Sequence, residues 1–180
     1  MIRHLTAADF RRMPWANGKG VTIEMARADG PEGMLWRLSR ASVVEDGPFS
    51  IFPGVERNLT VLTGPGFDLT GQGLHLAARA MMPVAFAGDV PLRAEGVAAP
   101  SDDFNVMTAR SLPRPQVRVL KAAERLVPPP GGLLALYDPA VPALTLADEA
   151  LDHPGDALAI AVYLDLRSGT AAAEGAATAR

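Results

Sequence analysis

Three polar side chains have the chemistry to hold a small anion: Arg57, Asp103 and Asn105. A planar guanidinium binds a carboxylate through two parallel hydrogen bonds, and an asparagine amide beside it offers both a donor and an acceptor. The same residues also allow a structural ion pair between Arg57 and Asp103 that closes one end of a barrel. The two interpretations are compatible, because the acid can orient the arginine toward a ligand.

The histidines do not form a metal-binding pattern. His4, His75 and His153 are isolated, and neither H-x-H nor H-x-x-x-H occurs. The chain has no cysteine, which excludes thiolate ligands, thiol nucleophiles and disulfides. Because zinc and iron sites favour imidazole and thiolate ligands, we expect no metal and no cofactor.

Catalysis is the rival interpretation of the same polar residues. A metal-free isomerase or lyase could use Asp103 as its general base, which requires a raised pKa near neutrality. Arg57 beside it is expected to lower that pKa, which argues against catalysis. Ser39 and Ser50 have no histidine placed by the sequence to activate them. We therefore predict no catalytic residue.

Alternating strands are expected to position these side chains. Residues 47–66 begin with Gly-Pro and Pro-Gly turns around an aromatic pair and continue as a half-buried strand led by Arg57. Residues 102–108 are predicted to be another strand, with Asp103 and Asn105 on one face. Further strands are predicted over 21–26, 35–44, 67–70, 74–82, 117–120, 133–137, 143–146 and 157–166.

Four segments carry other signals. Thr6 and Asp9 have the spacing of a capping box, which predicts a short helical turn through about residue 12. Residues 84–94 resemble a hairpin. The glycine-rich loop 17–20 favours a plain turn over an anion-binding nest. The alanines of the predicted strand 74–82 would also suit a helix.

Composition and charge exclude several classes of partner. The chain has 180 residues, of which 48% are hydrophobic and 21% charged, as in globular proteins. A net charge of −3 argues against a nucleic-acid or anionic-membrane partner. No apolar run approaches the roughly 20 residues of a membrane helix, and no secretory signal is expected. The absence of cysteine fits a reducing compartment, so we predict a cytoplasmic location.

Two pairs of segments suggest internal duplication. Residues 84–92 resemble 151–160, with Gly-Asp pairs 67 positions apart (155 − 88), and residues 61–65 resemble 136–139 more weakly. A duplicated β unit would explain both pairs. Gly-Asp is also a common hairpin dipeptide, so chance similarity is the alternative. The many short strands favour a sandwich or a barrel in either case.

Five motifs in one order resemble the HutD/Ves family. They match its W-x-N-G-G-G-x-T, W-R-x-S-x-A, G-x-F-S-x-F-x-G-x-x-R, F-x-G-[DE] and D-F-N-[LV]-M patterns. The matching segments are MPWANGKGVT (13–22), WRLSRA (36–41), GPFSIFPGVER (47–57), FAGD (86–89) and DFNVM (103–107). Beyond about residue 115 the resemblance rests on general pattern.

The resemblance implies an all-β, double-stranded β-helix (cupin-like jelly roll), with two cupin units packed as a bicupin. It also implies a metal-free relative of the cupins that is tied to bacterial histidine utilisation. We expect an N-terminal cupin unit at 1–112, a smaller C-terminal unit at 113–167 and a disordered tail at 168–180. Two residues depart from the family pattern: Lys19 would add positive charge at the pocket mouth, and Arg40 would face water.

These observations predict a bicupin that binds a small carboxylate metabolite and senses or modulates histidine utilisation. The alternative is a metal-free isomerase or lyase acting on a small carboxylate, and a purely structural module would fit if side chains fill the barrel. A homodimer is left open. The predicted ligand-binding residues are Arg57, Asn105, Asp103, Asn17, Thr22, Ser50, Phe52, Met107 and Trp36.

Overall fold

The protein is built from β-strands. A computed structural model describes residues 1–15 and 20–167, and this part of the chain forms seventeen strands. Within these residues there is no helix that could span a membrane. The strands are β1 (Ile2–Thr6), β2 (Arg11–Pro14), β3 (Val21–Gly30), β4 (Gly33–Val43), β5 (Gly47–Pro48), β6 (Val55–Thr63), β7 (Phe67–Gly71), β8 (Leu74–Ala78), β9 (Val84–Ala87), β10 (Arg93–Glu95), β11 (Ser101–Ala109), β12 (Gln116–Leu120), β13 (Glu124–Leu126), β14 (Leu133–Asp138), β15 (Ala143–Ala147), β16 (Leu151–His153) and β17 (Ala159–Leu164).

The strands pair antiparallel in four sheets. The N-terminal part holds a six-stranded sheet, in the order β2-β3-β4-β11-β6-β9, and a four-stranded sheet, in the order β5-β10-β7-β8. The C-terminal part holds a five-stranded sheet, in the order β1-β15-β14-β17-β12, and the pair β13-β16. Because β1 pairs with β15, the C-terminal sheet takes one strand from the start of the chain. The unit boundaries proposed from the sequence stay a prediction.

One apolar core joins the six-stranded sheet to the five-stranded sheet. Trp36, Leu38 and Phe104 come from the first sheet, and Tyr137 and Ile160 come from the second. The Phe104 and Tyr137 rings stack with their centroids 4.9 Å apart. Side chains alternate along β4 and β11, so the residues next to these core residues, such as Arg37, Ser39 and Asn105, lie on the opposite face of the six-stranded sheet.

Two smaller cores lie inside the two units. In the N-terminal unit, Leu59 and Val61 of β6 pack against Phe67 and Leu69 of β7. In the C-terminal unit, Leu134 and its neighbours fill the space between the five-stranded sheet and the β13-β16 pair. Burial of these apolar surfaces stabilises both units and fixes the register of β6, which carries Arg57.

Most predicted strands are confirmed, and two local predictions are wrong. Thr6 and Asp9 make reciprocal backbone and side-chain hydrogen bonds, but these close a turn between β1 and β2 instead of starting a helix. The two strands enter different sheets, and this tertiary demand overrides the capping signal. Residues 84–94 do not form a hairpin, because β9 pairs with β6 while β10 pairs with β7 and β5.

The turn between β6 and β7 fixes the start of β11 and offers a stability test. Gly66 has φ +79°, its N–H donates to Ser101 Oγ at 2.9 Å, and a Cβ there would overlap the Ala78 carbonyl oxygen. Gly73 has the same φ, but a Cβ would meet open space. We therefore predict that Gly66→Ala lowers the free energy of unfolding by about 1–3 kcal/mol more than Gly73→Ala. Urea unfolding of the two variants measures the difference, and equal losses would contradict this account of the turn.

Candidate functional site

A cavity of about 700 Å³ lies on the polar face of the six-stranded sheet. Its floor comes from β3, β4, β6 and β11, and its rim comes from residues 43–50 and from Phe52. Cavities of this volume are typical of small-molecule sites. The N-terminal barrel is therefore hollow where the cavity lies, which does not support the purely structural interpretation for this unit.

Antiparallel pairing arranges the floor in three rows across the sheet. Met107 of β11 lies between Arg37 of β4 and Arg57 of β6. In the next row Asn105 lies between Ser39 and Leu59, and in the third row Asp103 lies between Ala41 and Val61. Side chains directly opposite each other on neighbouring strands contact one another, so this register sets the neighbours of each polar group.

Arg57 is buried in the wall of the cavity, with 6% of its surface exposed. Its Nη1 donates to the Ser50 carbonyl oxygen at 3.1 Å, and its Nη2 donates to Asn105 Oδ1 at 3.0 Å. Its Nε is buried and has no hydrogen-bond partner among the described residues. A guanidinium has five N–H donors, and these two bonds use two of them, so donors remain for an anion.

Three aromatic rings surround the Arg57 guanidinium. Its central carbon lies 5.4 Å from the ring centre of Phe49, 5.2 Å from that of Phe52 and 5.0 Å from that of Phe86. The ring faces attract the cation and exclude water from it. Burial lowers the pKa of Arg57 to about 10, so the group still carries its charge at neutral pH. Low local dielectric strengthens any contact that it makes with an anion.

Asp103 completes a chain of polar groups that begins at Arg57. Asn105 accepts from Arg57 and donates from Nδ2 to Asp103 Oδ1, so its amide connects the two charged side chains. Burial raises the pKa of Asp103 to about 7, although the positive charge of Arg57 acts in the opposite direction. The lowering effect of Arg57 that the sequence predicts is therefore present, but desolvation outweighs it and the net pKa of Asp103 is raised.

A second arginine lies in the same cavity. Arg37 is partly buried, and its Nε lies 2.8 Å from Glu24 Oε2 without the alignment of a hydrogen bond. Elsewhere in the lining, the Trp15 indole N–H donates to Thr22 Oγ1 at 2.9 Å. The cavity therefore has an arginine on each side of Met107.

Three comparisons with known proteins agree with this architecture. The family model described as HutD matches residues 7–148.

The chain belongs to the HutD family.

Among curated HutD-family relatives, an uncharacterised 21.2 kDa protein in the hutC 3′ region of Pseudomonas putida is 36% identical over 130 residues, covering 69% of this chain and 67% of that protein. Protein Ves from Cronobacter sakazakii is 40% identical over 117 residues, covering 62% of this chain and 64% of Ves. These matches span about two thirds of each relative.

Solved structures extend the likeness over nearly the whole chain. HutD from Pseudomonas fluorescens SBW25 (formate condition) has a TM-score of 0.78 at 28% identity, covering 92% of this chain and all of that one (100%). A conserved protein of unknown function from Pseudomonas aeruginosa PAO1 has a TM-score of 0.76 at 30% identity, covering 92% of this chain and 99% of that one. The predicted all-β cupin fold is confirmed.

Most of the residues that the sequence predicts for ligand binding lie around this one cavity. Arg57, Asp103 and Asn105 form the connected chain, and they share the lining with Thr22, Ser50, Phe52 and Met107. Asn17 and Lys19 lie outside the described residues. The role of these residues in binding stays a prediction.

Two of the sequence-based assignments are corrected by the alternation along β4. Trp36 lies in the core between the two large sheets and does not line the cavity. Its neighbour Arg37, which the sequence analysis left out of the site, takes the cavity face instead. Arg40 does not simply face water, because its Nη2 lies 3.5 Å from Asp102 Oδ2 and it is mostly buried. Side chains alternate along a strand, so Arg37 shares the face of Ser39 and Trp36 lies on the opposite face; this rule assigns Arg37, not Trp36, to the cavity.

The three histidines lie apart in the structure. His4 Nδ1 is 3.0 Å from Thr145 Oγ1, His75 Nε2 is 3.0 Å from Asp68 Oδ2, and His153 Nε2 is 3.1 Å from the Ala157 carbonyl oxygen. Within residues 1–15 and 20–167, no group of three or more acidic or histidine side chains could hold a metal ion.

The raised pKa of Asp103 gives a stability prediction with a definite sign. The neutral acid is favoured in the folded state, so its contribution to stability is present below the ordinary pKa of 3.8 and is lost as the pH rises to about 7. Asparagine cannot ionise, so Asp103→Asn should not lose stability as the pH rises. We predict that the free energy of unfolding of the variant, relative to that of the wild type, increases by up to roughly 4 kcal/mol between these pH values. Urea unfolding across this pH range measures the gain.

Asp102→Asn is the matched control, since it removes a carboxylate one position earlier on the opposite face of β11. A stability difference between Asp103→Asn and wild type that does not change with pH would contradict the assignment.

Proposed function

We propose that the N-terminal cavity binds a small carboxylate metabolite, with Arg57 as the anchor. The observation that carries this proposal is the buried Arg57 guanidinium in the cavity wall, which retains unused donors after its bonds to Ser50 and Asn105. An arginine placed in this way suits a planar, two-oxygen group better than it suits a single acceptor.

The surroundings of Arg57 favour an anion there. Phe49, Phe52 and Phe86 cover the guanidinium, so a carboxylate that docks on it meets little competition from water. Asp103 is the nearest acid, and its raised pKa leaves it partly neutral at pH 7, which reduces repulsion of an incoming carboxylate. Binding should therefore be accompanied by proton uptake at Asp103.

The family suggests where such a ligand would arise. HutD gives the family its name, and the Pseudomonas putida relative is named for its position in the hutC 3′ region. On this basis we propose that the protein works in histidine utilisation, as a sensing or modulating component. We place it in the cytoplasm, because it lacks cysteine and its motifs are those of this family.

Thermal shift with a panel of acids tests the binding proposal. Urocanate, formate, formylglutamate, histidine and glutamate are added in turn to the wild type and to Arg57→Ala. We expect at least one acid to stabilise the wild type, by about 2.7 kcal/mol at a hundredfold excess over its Kd, and to lose this effect in Arg57→Ala. Arg57→Lys, which keeps the charge but lacks the fork, should retain only part of the affinity.

The melting temperature of each variant without ligand shows whether it folds. Stabilisation that is equally large in folded Arg57→Ala, or no stabilisation of the wild type by any acid, would refute the proposal.

A second function, proton transfer catalysis, is favoured by one observation. A carboxyl group with a pKa of about 7 can both accept and return a proton at neutral pH, and Asp103 has that pKa at the cavity surface. In an isomerase, ionised Asp103 would take a proton from a carbon activated by the bound carboxylate or a conjugated carbonyl. It would then return the proton to a different carbon, with no change in oxidation state.

Deuterium exchange distinguishes catalysis from binding. The wild type is incubated in D₂O with each acid that stabilises it, and NMR follows loss of carbon-bound protons. Catalysis predicts that Asp103→Asn abolishes the exchange. The same variant should still be stabilised thermally by the acid, because asparagine is neutral like the protonated Asp103. Binding without exchange in the wild type would exclude this second function.

A further inference from the structure

We propose that Arg37 is a second anchoring residue of the cavity, so that the ligand is an elongated monoanion with its carboxylate at Arg57 and an uncharged hydrogen-bond acceptor at Arg37. This inference rests on the proposed binding function and adds the class of ligand. Acceptors of the required kind are a carbonyl, an amide or an azole nitrogen.

The sheet register sets the separation of the two arginines. Arg37 and Arg57 both pair with Met107, one on each side of β11, and both line the cavity. Two strand spacings place their Cα atoms about 10 Å apart. Besides burial, the charge of Arg37 lowers the pKa of Arg57, so the two guanidinium groups lie close enough to interact, and a ligand that contacts both spans the Met107 position.

Some of the N–H groups of Arg37 lack good acceptors among the described residues. Its contact with Glu24 is an ion pair at 2.8 Å that is not aligned as a hydrogen bond. Among the described residues, its Nη2 bonds to the weak acceptor Met13 Sδ, at 3.5 Å. Its Nε has no hydrogen-bond partner among the described residues. Buried donors without good acceptors are rare in proteins, and a ligand acceptor would satisfy them. Glu24 holds the guanidinium in place and so acts as a positioning residue.

The charges around the cavity favour a neutral group at this second position. Arg37 is already balanced by Glu24, whereas Arg57 is opposed by Asp103, which is partly protonated at neutral pH. One carboxylate at Arg57 therefore matches the available positive charge, and a second carboxylate at Arg37 would meet an arginine that is already neutralised.

The size and shape of the cavity agree with a longer ligand. A volume of about 700 Å³ leaves most of the space empty after a formate-sized acid has docked on Arg57. Ser39, Asn105 and Trp15 also line the cavity, and the Trp15 indole N–H donates to Thr22 Oγ1.

Calorimetry with three matched series of acids tests the inference. The first series has a carboxylate only (butyrate, pentanoate, hexanoate). The second adds a terminal amide (succinamate, glutaramate, adipamate), and the third adds a second carboxylate (succinate, glutarate, adipate). We expect one of the amides to bind the wild type about tenfold more tightly than the plain acid of equal length, which is the effect of one hydrogen bond to a charged group.

Substitutions assign that gain to a residue. Arg37→Met should abolish the gain from the amide and leave the plain acid unchanged. The double variant Glu24→Gln/Arg37→Met should do the same without a buried unpaired carboxylate, which protects the test if the single variant unfolds. Arg40→Met, three positions along β4 on the core face, should leave the gain intact.

NMR of arginine side chains in the wild type gives an independent measurement. The amide that binds most tightly should shift the Nε signals of both Arg37 and Arg57, whereas the plain acid of equal length should shift that of Arg57 alone.

The outcomes separate this inference from the proposed function. Plain acids that bind through Arg57, with no gain from the amide or a gain that survives Arg37→Met, would overturn the second anchor and leave the carboxylate site standing. Tighter binding of the dicarboxylates than of the amides would overturn the neutral acceptor. Failure of every acid to bind the wild type would refute the carboxylate site itself.

Discussion

The structure depends on a positive charge that is held inside a β cavity. Removing the Arg57 guanidinium from water is costly unless acceptors, ring faces and a compensating charge surround it. Ser50, Asn105, three phenylalanine rings and Asp103 supply these in turn. The compensation is incomplete, since Nε has no partner among the described residues and the nearest acid is only partly ionised at neutral pH. A bound carboxylate would complete it.

The two-unit architecture explains how one sheet can carry such a site. The six-stranded sheet buries its apolar face against the five-stranded sheet, through residues such as Phe104 and Tyr137. Its other face is then available for the polar residues of the cavity, and the smaller four-stranded sheet packs over Leu59 and Val61 on that face. The five-stranded sheet thus supports the site from its apolar face, and none of its described residues lines the cavity. Stable apolar packing on one face of the sheet thus allows polar groups without hydrogen-bond partners, such as Arg57 Nε, on the other face.

Alternation in the sequence predicted much of this site, and the failures have physical causes. The period-two pattern of β11 correctly separated Asp103 and Asn105 from Phe104. The same alternation along β4 places Arg37 on the cavity face and Trp36 in the core, where its large apolar ring is buried between the two sheets. The direction of the Asp103 pKa shift could not be predicted, because it depends on burial that only the closed barrel creates. The capping signal at Thr6 failed because pairing of β1 with β15 outweighs a local turn preference.

A crystal structure of the chain grown with the acid that stabilises it most in the thermal-shift panel would test the central claim most directly. The account predicts a carboxylate within about 3 Å of the Arg57 Nη atoms, inside the ring formed by Phe49, Phe52 and Phe86. A crystal in which the acid occupies another surface, or in which the Arg57 side chain turns away from the cavity, would contradict it.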